Sequence, residues 1–341
     1  MWVRKPFHSH VLDPFLMNSY HADDAAVTRA EMYFPQHAHS GFETITMPMP
    51  RCPTVMDHGD SEGTCGRYGG GDLQWCLTGK GMEHCEVPQK LAEAAGAPGH
   101  LFQIWYNLPA AAKSCVPSFK MLWAEDVQLE SPAPGVMVRT LVGKKTAWRP
   151  PELRSPDMPR PHIAIVHAYL VPGSGPLVFE REPGANCVIS VFGGDEKTVL
   201  LIKGDAGAES PEVPLDASCA LVPVKHAGAS VQISAKPGGA PAEILILEGA
   251  PTRDEVVWQG PFVAASKREL TTMFRKYQEG SLCAPWPWPK STVTHGSEPR
   301  FEDFGKGKIK KEAISPAALA WPADPNLRVG KQLRQTVQLF P

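Results

Sequence analysis

No run of about 18 apolar residues, the length a membrane-spanning helix needs, occurs anywhere in the 341 residues, so no span is expected. The N-terminal stretch MWVRKPFHSHVLDPF interrupts its apolar residues with Arg4, Lys5 and His8 and so lacks the continuous core of a secretory signal. Charge of one sign is also missing. A formal net charge of −2 gives no basic field to gather nucleic acid, and direct sequence-specific DNA binding is not expected. The eight cysteines include no C-x-x-C pair and no regular ladder of spacings, which excludes a zinc ribbon and a disulfide scaffold. A reducing compartment, cytoplasm or nucleus, is the expected location.

What is plentiful is punctuation. With 35 prolines and 30 glycines, the chain breaks its apolar residues into short, β-branched runs bounded by turns, the pattern of an all-β fold. In the first half these runs are Phe42 to Met49, Leu73 to Leu77, Leu101 to Leu108 and Val136 to Val142. Residues 148–161 hold several prolines and little periodicity and read as an extended linker. Beyond it come His162 to Val171, Cys187 to Phe192, Thr198 to Ile202, Cys219 to Val222, Ser230 to Ser234 and Glu243 to Leu247, a second β domain. One helix is predicted, Ser266 to Glu279, opened by Ser266 with Glu269 three residues on as a capping box and closed by Gly280. The expected division is therefore 1–147, a linker at 148–161, 162–283, and a proline-rich basic tail at 284–341 that wraps the surface or is partly disordered.

Two short segments carry chemistry. FPQHAHSGFET sets His37 and His39 two residues apart, and in a strand a period of two puts both imidazoles on one face. GDLQWCLTGKGMEHCEVP repeats the device, with Gly79 and Gly81 making a turn before His84 and Glu86. Either pair alone is more often chance than a site; together, each after a turn, they reverse that weighting. Three imidazoles and one carboxylate suit a single divalent iron, manganese, nickel, copper or zinc ion per chain, with two positions left open on an octahedral ion. Glu43, four residues beyond His39, is either a competing ligand or, as preferred here, a partner that orients one histidine. His162, His167 and His226 have no such spacing and read as core or solvated histidines, and Cys76 and Cys85 as buried hydrophobes. Trp75, Trp105 and Trp123 read as core, with Trp105 a candidate cavity wall. KGKIKK at 306–311 reads as a solvated basic patch before it reads as a nuclear import signal.

The two motifs, together with LDPFLM at 12–17, LFQIWYNLP at 101–109, PLVFERE at 176–182 and GPFVAASKRELTTMFRKYQEGSL at 260–282, resemble the pirin family of the cupin superfamily over roughly residues 10–283. The resemblance implies a bicupin, two stacked antiparallel β-barrels of the jelly-roll type, with Fe(II) in the first held by His37, His39, His84 and Glu86 and no metal in the second. It also implies one of two activities. The first is oxygen-dependent cleavage of a flavonol of the quercetin type, with Glu86 as ligand and base; the second is redox-sensitive regulation through contact with a transcription factor or enzyme. A monomer is expected, with a flavonol-like small molecule or a regulatory protein as its partner. The sequence departs from the family pattern at Met82–Glu83, in place of an aliphatic residue before the histidine, and in the tail beyond residue 283. By alternation Glu83 points away from the metal.

Overall fold

The computed structural model describes residues 12–22, 33–52, 54–90, 100–153, 160–204, 212–221, 223–311 and 321, with the strand backbone at 328–329 and 337–340. The first unit is built from β1 (Phe15–Ala22), β2 (Phe34–His39), β3 (Phe42–Pro48), β4 (Thr54–Asp60), β5 (Cys65–Gly69), β6 (Leu73–Leu77), β7 (Met82–Lys90), β8 (His100–Asn107) and β9 (Ser118–Leu122). These lie in two sheets, in the orders β1-β8-β3-β6-β9 and β2-β7-β4-β5. Met56, Tyr68, Cys76, Met82, Leu101 and Phe119 come from both sheets and meet in one buried cluster, the filling of a flattened jelly roll.

The second unit contains β10 (Leu129–Ala133), β11 (Val136–Val142), β12 (Ile163–Leu170), β13 (Leu177–Glu180), β14 (Asn186–Gly194), β15 (Val199–Gly204), β16 (Glu212–Pro214), β17 (Ser218–Leu221), β18 (Ser230–Ala235) and β19 (Ala242–Gly249). One sheet runs β10-β11-β12-β19-β14-β17 and faces the other, β13-β18-β15-β16. Its filling is aliphatic, with Val138, Val166, Ile189, Leu200, Ile233 and Ile244 among the buried side chains. Most expected strands sit where the alternation put them. The difference is at β10 and β11, which precede the linker yet pair with β12 (Val138 opposite Ala168) and so extend the second sheet. An antiparallel partner is chosen by sheet geometry, which the position of a proline-rich stretch does not report.

After β19 come β20 (Val257–Gln259), β21 (Phe262–Ala264) and the helix α1 (Lys267–Gln278). Ser266 Oγ accepts the Glu269 N–H at 3.3 Å, and the Glu269 carboxylate accepts the Ala265 N–H at 3.0 Å, a reciprocal cap close to the one expected. Where it is described, the tail wraps the surface, the first of the two alternatives expected. Its strands β22 (Arg300–Asp303) and β23 (Lys308–Lys311) extend the first unit's second sheet beyond β5. Val293, Trp286 and Trp288 cover Cys85 and Val87 on that sheet's outer face. Three of the four KGKIKK lysines lie near carboxylates: Lys308 3.4 Å and Lys310 2.9 Å from Glu298, and Lys311 3.6 Å from Asp126. Two further strands, β24 (Arg328–Val329) and β25 (Val337–Phe340), add to the second unit's larger sheet, β25 in parallel with β17. None of the eight cysteines is in a disulfide.

The two units adjoin through the outer faces of the sheets β1-β8-β3-β6-β9 and β10-β11-β12-β19-β14-β17. Ile45, Trp75, Ile104 and Tyr106 of the first pack with Ile163, Ile165, Leu245 and Leu247 of the second. Along β3 the odd-numbered side chains therefore face the partner unit while Thr44 and Thr46 face the first unit's interior, a consequence of period-two alternation.

Candidate metal centre

β2 and β7 are antiparallel neighbours, with His37 opposite His84 and His39 opposite Met82. Cross-strand pairing brings facing side chains within a few ångströms, so the two motifs converge because their strands pair. The turns before β3 and β7 fix this. A side chain at Gly41, whose φ is +87°, would put its Cβ 1.8 Å from the Val263 carbonyl oxygen, and one at Gly79 would fall 2.1 Å from that of Cys115. Only glycine fits either corner.

The donor atoms of His37, His39 and His84 lie within 4.8 Å of one another. His37 Nε2 and His84 Nε2 are 3.0 Å apart. Two nitrogens each about 2.1 Å from one ion and at right angles to each other stand about 3 Å apart, so this pair already has the spacing of neighbouring ligands. His37 Nδ1 donates to the Pro35 carbonyl at 2.7 Å, which leaves Nε2 as its lone-pair nitrogen, facing the site. Burial lowers the pKa of all three imidazoles, and on His39 and His84 the neighbouring histidines press it further down. The trio is thus neutral, the protonation state a metal requires, and its donor set fits one divalent ion.

Glu86 shares the interior face of β7 with His84 but is not one of the three residues whose donor atoms converge. Its Oε1 accepts from Thr46 Oγ1 at 2.5 Å and from the Tyr68 hydroxyl at 3.2 Å. The other carboxylate oxygen makes no hydrogen bond among the described residues. Glu83 points the opposite way, as alternation required, and accepts from Gln36 Nε2 at 2.6 Å.

Glu43 is not an orienting partner of a histidine. The chain leaves one sheet after His39 and enters the other at Phe42, so the even spacing does not carry over, and Glu43 faces the seam between the units. There its carboxylate takes hydrogen bonds from Trp75 Nε1 at 2.8 Å and from both terminal nitrogens of Arg160. His162 and His167 do have carboxylate partners, Glu248 at 3.1 Å and Glu243 at 2.8 Å, both on β19 and both beyond the reach of a spacing argument. His226 is exposed.

The walls of the centre are aromatic. The Phe34 ring lies 6.0 Å from that of His37, and the rings of Phe42 and Trp105 lie 5.2 and 5.3 Å from that of His39. Trp105 in turn meets Trp258 at 5.4 Å. Trp75 and Trp123 are core. One buried residue beside the centre was missed by the sequence reading: His58, whose ring is 5.7 Å from that of His84. The signal that marks it is the H-x-D spacing of His58 and Asp60, which is the same-face device again.

Known proteins resemble this chain in sequence and in fold. Residues 3–106 match the family model Pirin, and residues 177–283 match Pirin C-terminal cupin domain, together more than half of the chain. A pirin-like protein of Caulobacter vibrioides is 28% identical over 272 residues, covering 80% of this chain and 88% of its own. A Pseudomonas aeruginosa protein named as a candidate quercetin 2,3-dioxygenase is 28% identical over 276 residues, 79% of this chain and 87% of that one. Human pirin is 28% identical over 243 residues, 70% and 73% of the two chains. In fold, the crystal structure titled quercetin 2,3-dioxygenase from Acinetobacter baumannii aligns with a TM-score of 0.61 at 21% identity, over 80% of this chain and 88% of that one.

Proposed function

The chain belongs to the pirin family, and from that premise we propose that it is a mononuclear Fe(II) protein that cleaves a flavonol-like ring with dioxygen. The observation that carries this reading is the convergence of three neutral imidazoles, His37, His39 and His84, between aromatic walls. The named P. aeruginosa relative supports the substrate class. Bound iron would supply Lewis acidity and one-electron chemistry toward dioxygen. The chain's own residues do the rest. Phe34, Phe42 and Trp105 offer flat apolar faces against which a polyphenol ring stacks. Thr46 and Tyr68 grip one oxygen of Glu86, leaving the other to complete the ligand set and to take the proton of the substrate hydroxyl. The polypeptide also limits water at the centre, since His39, His84 and Glu86 are all buried.

The test is oxygen uptake by iron-loaded protein on addition of quercetin, with iron per chain measured on the same sample. Flavonol-dependent uptake at near one iron per chain is expected. Iron-loaded protein that consumes no oxygen with quercetin would overturn the enzyme reading and leave regulation of a protein partner in its place.

A further inference from the structure

Deeper in the first unit a second set of donors converges. His58, Cys76 and His84 each bring one ligand atom within 4.8 Å of the other two, and all three are buried. They come from β4, β6 and β7, so both sheets contribute. His58 is held by Asp60, whose carboxylate accepts the N–H groups of Glu62 and Thr64, each at 3.0 Å, and the Thr64 hydroxyl at 2.5 Å. With that many donors aimed at it, the carboxylate is an acceptor. The proton between Asp60 Oδ2 and His58 Nε2, 3.1 Å apart, therefore sits on the imidazole.

His58 Nδ1 is then a lone-pair nitrogen; like His84 Nδ1, it is buried with no hydrogen-bond partner among the described residues. Buried polar atoms are rarely left unmatched, and an orphaned acceptor beside a thiol marks a place where something binds. A carboxylate that fixes the tautomer of a histidine, so that its other nitrogen faces a ligand cluster, is a recurring support of metal sites.

We propose that His58, Cys76 and His84 form a second cation site, for a thiophilic ion such as Zn2+ or Cu+, that shares His84 with the His37–His39–His84 centre. The sulfur selects a soft ion, whereas the first centre offers nitrogen and oxygen only. On binding, the Cys76 S–H bond breaks, sulfur keeps the electron pair for the metal, and the proton leaves to solvent. The resulting thiolate and the Asp60 carboxylate behind His58 balance a divalent charge. When both positions are filled, His84 gives one nitrogen to each ion and releases its own N–H proton. The site needs neither iron nor flavonol.

Titration of metal-stripped, reduced full-length protein with Co2+, a spectroscopic substitute for Zn2+, tests it. Wild type and His37→Ala should both develop a near-ultraviolet sulfur-to-cobalt charge-transfer band that saturates. Cys76→Ser and His58→Gln should each lack it while melting cooperatively, two independent variants in case one misfolds. No band in wild type, a band that survives in a folded Cys76→Ser or His58→Gln, or one that vanishes in a folded His37→Ala overturns the proposal. Failure of quercetin-dependent oxygen uptake with the band intact would sink the proposed activity and leave this site standing.

Discussion

Arg160 grips the Glu43 carboxylate with two hydrogen bonds, of 2.6 and 2.8 Å, across the seam between the two units. Glu43 is fully buried, and among the described residues its one other side-chain donor is Trp75 Nε1 at 2.8 Å. Removing the arginine would leave a desolvated carboxylate poorly matched. Arg160→Ala should therefore cost about 3 kcal/mol in urea unfolding, the scale for breaking a buried pair by removing one partner. Iron per chain should not change, because the pair faces away from the histidines. Loss of iron without loss of stability would return Glu43 to the metal centre.

The sequence placed β6 and β11 residue for residue because alternation and turn residues are local signals, and it found the histidine pairs for the same reason. Glu43 was misread because local parity ends where the chain changes sheets, at Ser40 and Gly41, and nothing in the spacing announces that change. His58 was passed over because its set is assembled from three strands, and only its support by Asp60 is local. For the tail, which lacks periodicity, the sequence leaves open a surface wrap and partial disorder. Its order comes instead from scattered side chains such as Val293, Trp288 and Trp321, each seated in a surface that the rest of the chain provides.

The proposed iron should depend on both motifs together. In protein carrying His37→Ala and His84→Ala, one donor from each strand is gone and the 3.0 Å ligand pair no longer exists. Iron per chain by elemental analysis should fall from near one to near zero. Stoichiometric iron in the double variant would remove the assignment of this centre.

Glu86→Gln keeps the shape and the contacts with Thr46 and Tyr68 while removing charge and basicity. Iron should be retained to an appreciable level, and quercetin-dependent oxygen uptake should fall by about 100-fold or more, the usual contribution of a general base. Turnover like that of the wild type in iron-loaded Glu86→Gln would exclude this carboxylate as the base.

His100 sets an acid limit. Burial pushes its pKa down to about 4 against an ordinary value of 6.5, although the Glu243 carboxylate pulls the other way. Between those values the unfolded chain binds a proton that the folded chain refuses, so this contribution to stability is complete above pH 6.5 and falls away as pH drops toward 4. His21, also lowered by burial to about 4, acts in the same direction. Asp72, raised by burial to about 6, opposes them over the range below that value. Urea midpoints at pH 7 and pH 5 should differ less in His100→Gln than in wild type. An equal difference in the two proteins would show that His100 is not what the acid destabilises.

Trp321 anchors the tail to the second unit through two separable contacts. Its ring lies against that of His167 at 4.1 Å with a 30° tilt, and its Nε1–H donates to Glu243 Oε1 at 2.9 Å. Glu243 is also held by His167 and Arg51, each at 2.8 Å. Burial would raise its pKa, but the His167 hydrogen bond and the Arg51 guanidinium outweigh that and lower it, so it stays a carboxylate at any ordinary pH. Burial outweighs the same contact on the other side and lowers the pKa of His167, which therefore enters as a neutral donor. Trp321→Phe keeps most of the ring contact and removes one of three donors from a carboxylate still served by the other two, at a cost of about 1 kcal/mol. Trp321→Ala removes the buried ring as well and should cost about 3–5 kcal/mol, together with faster proteolysis of the tail. Were the two substitutions to cost the same, the hydrogen bond rather than the stacked ring would be what fastens the tail.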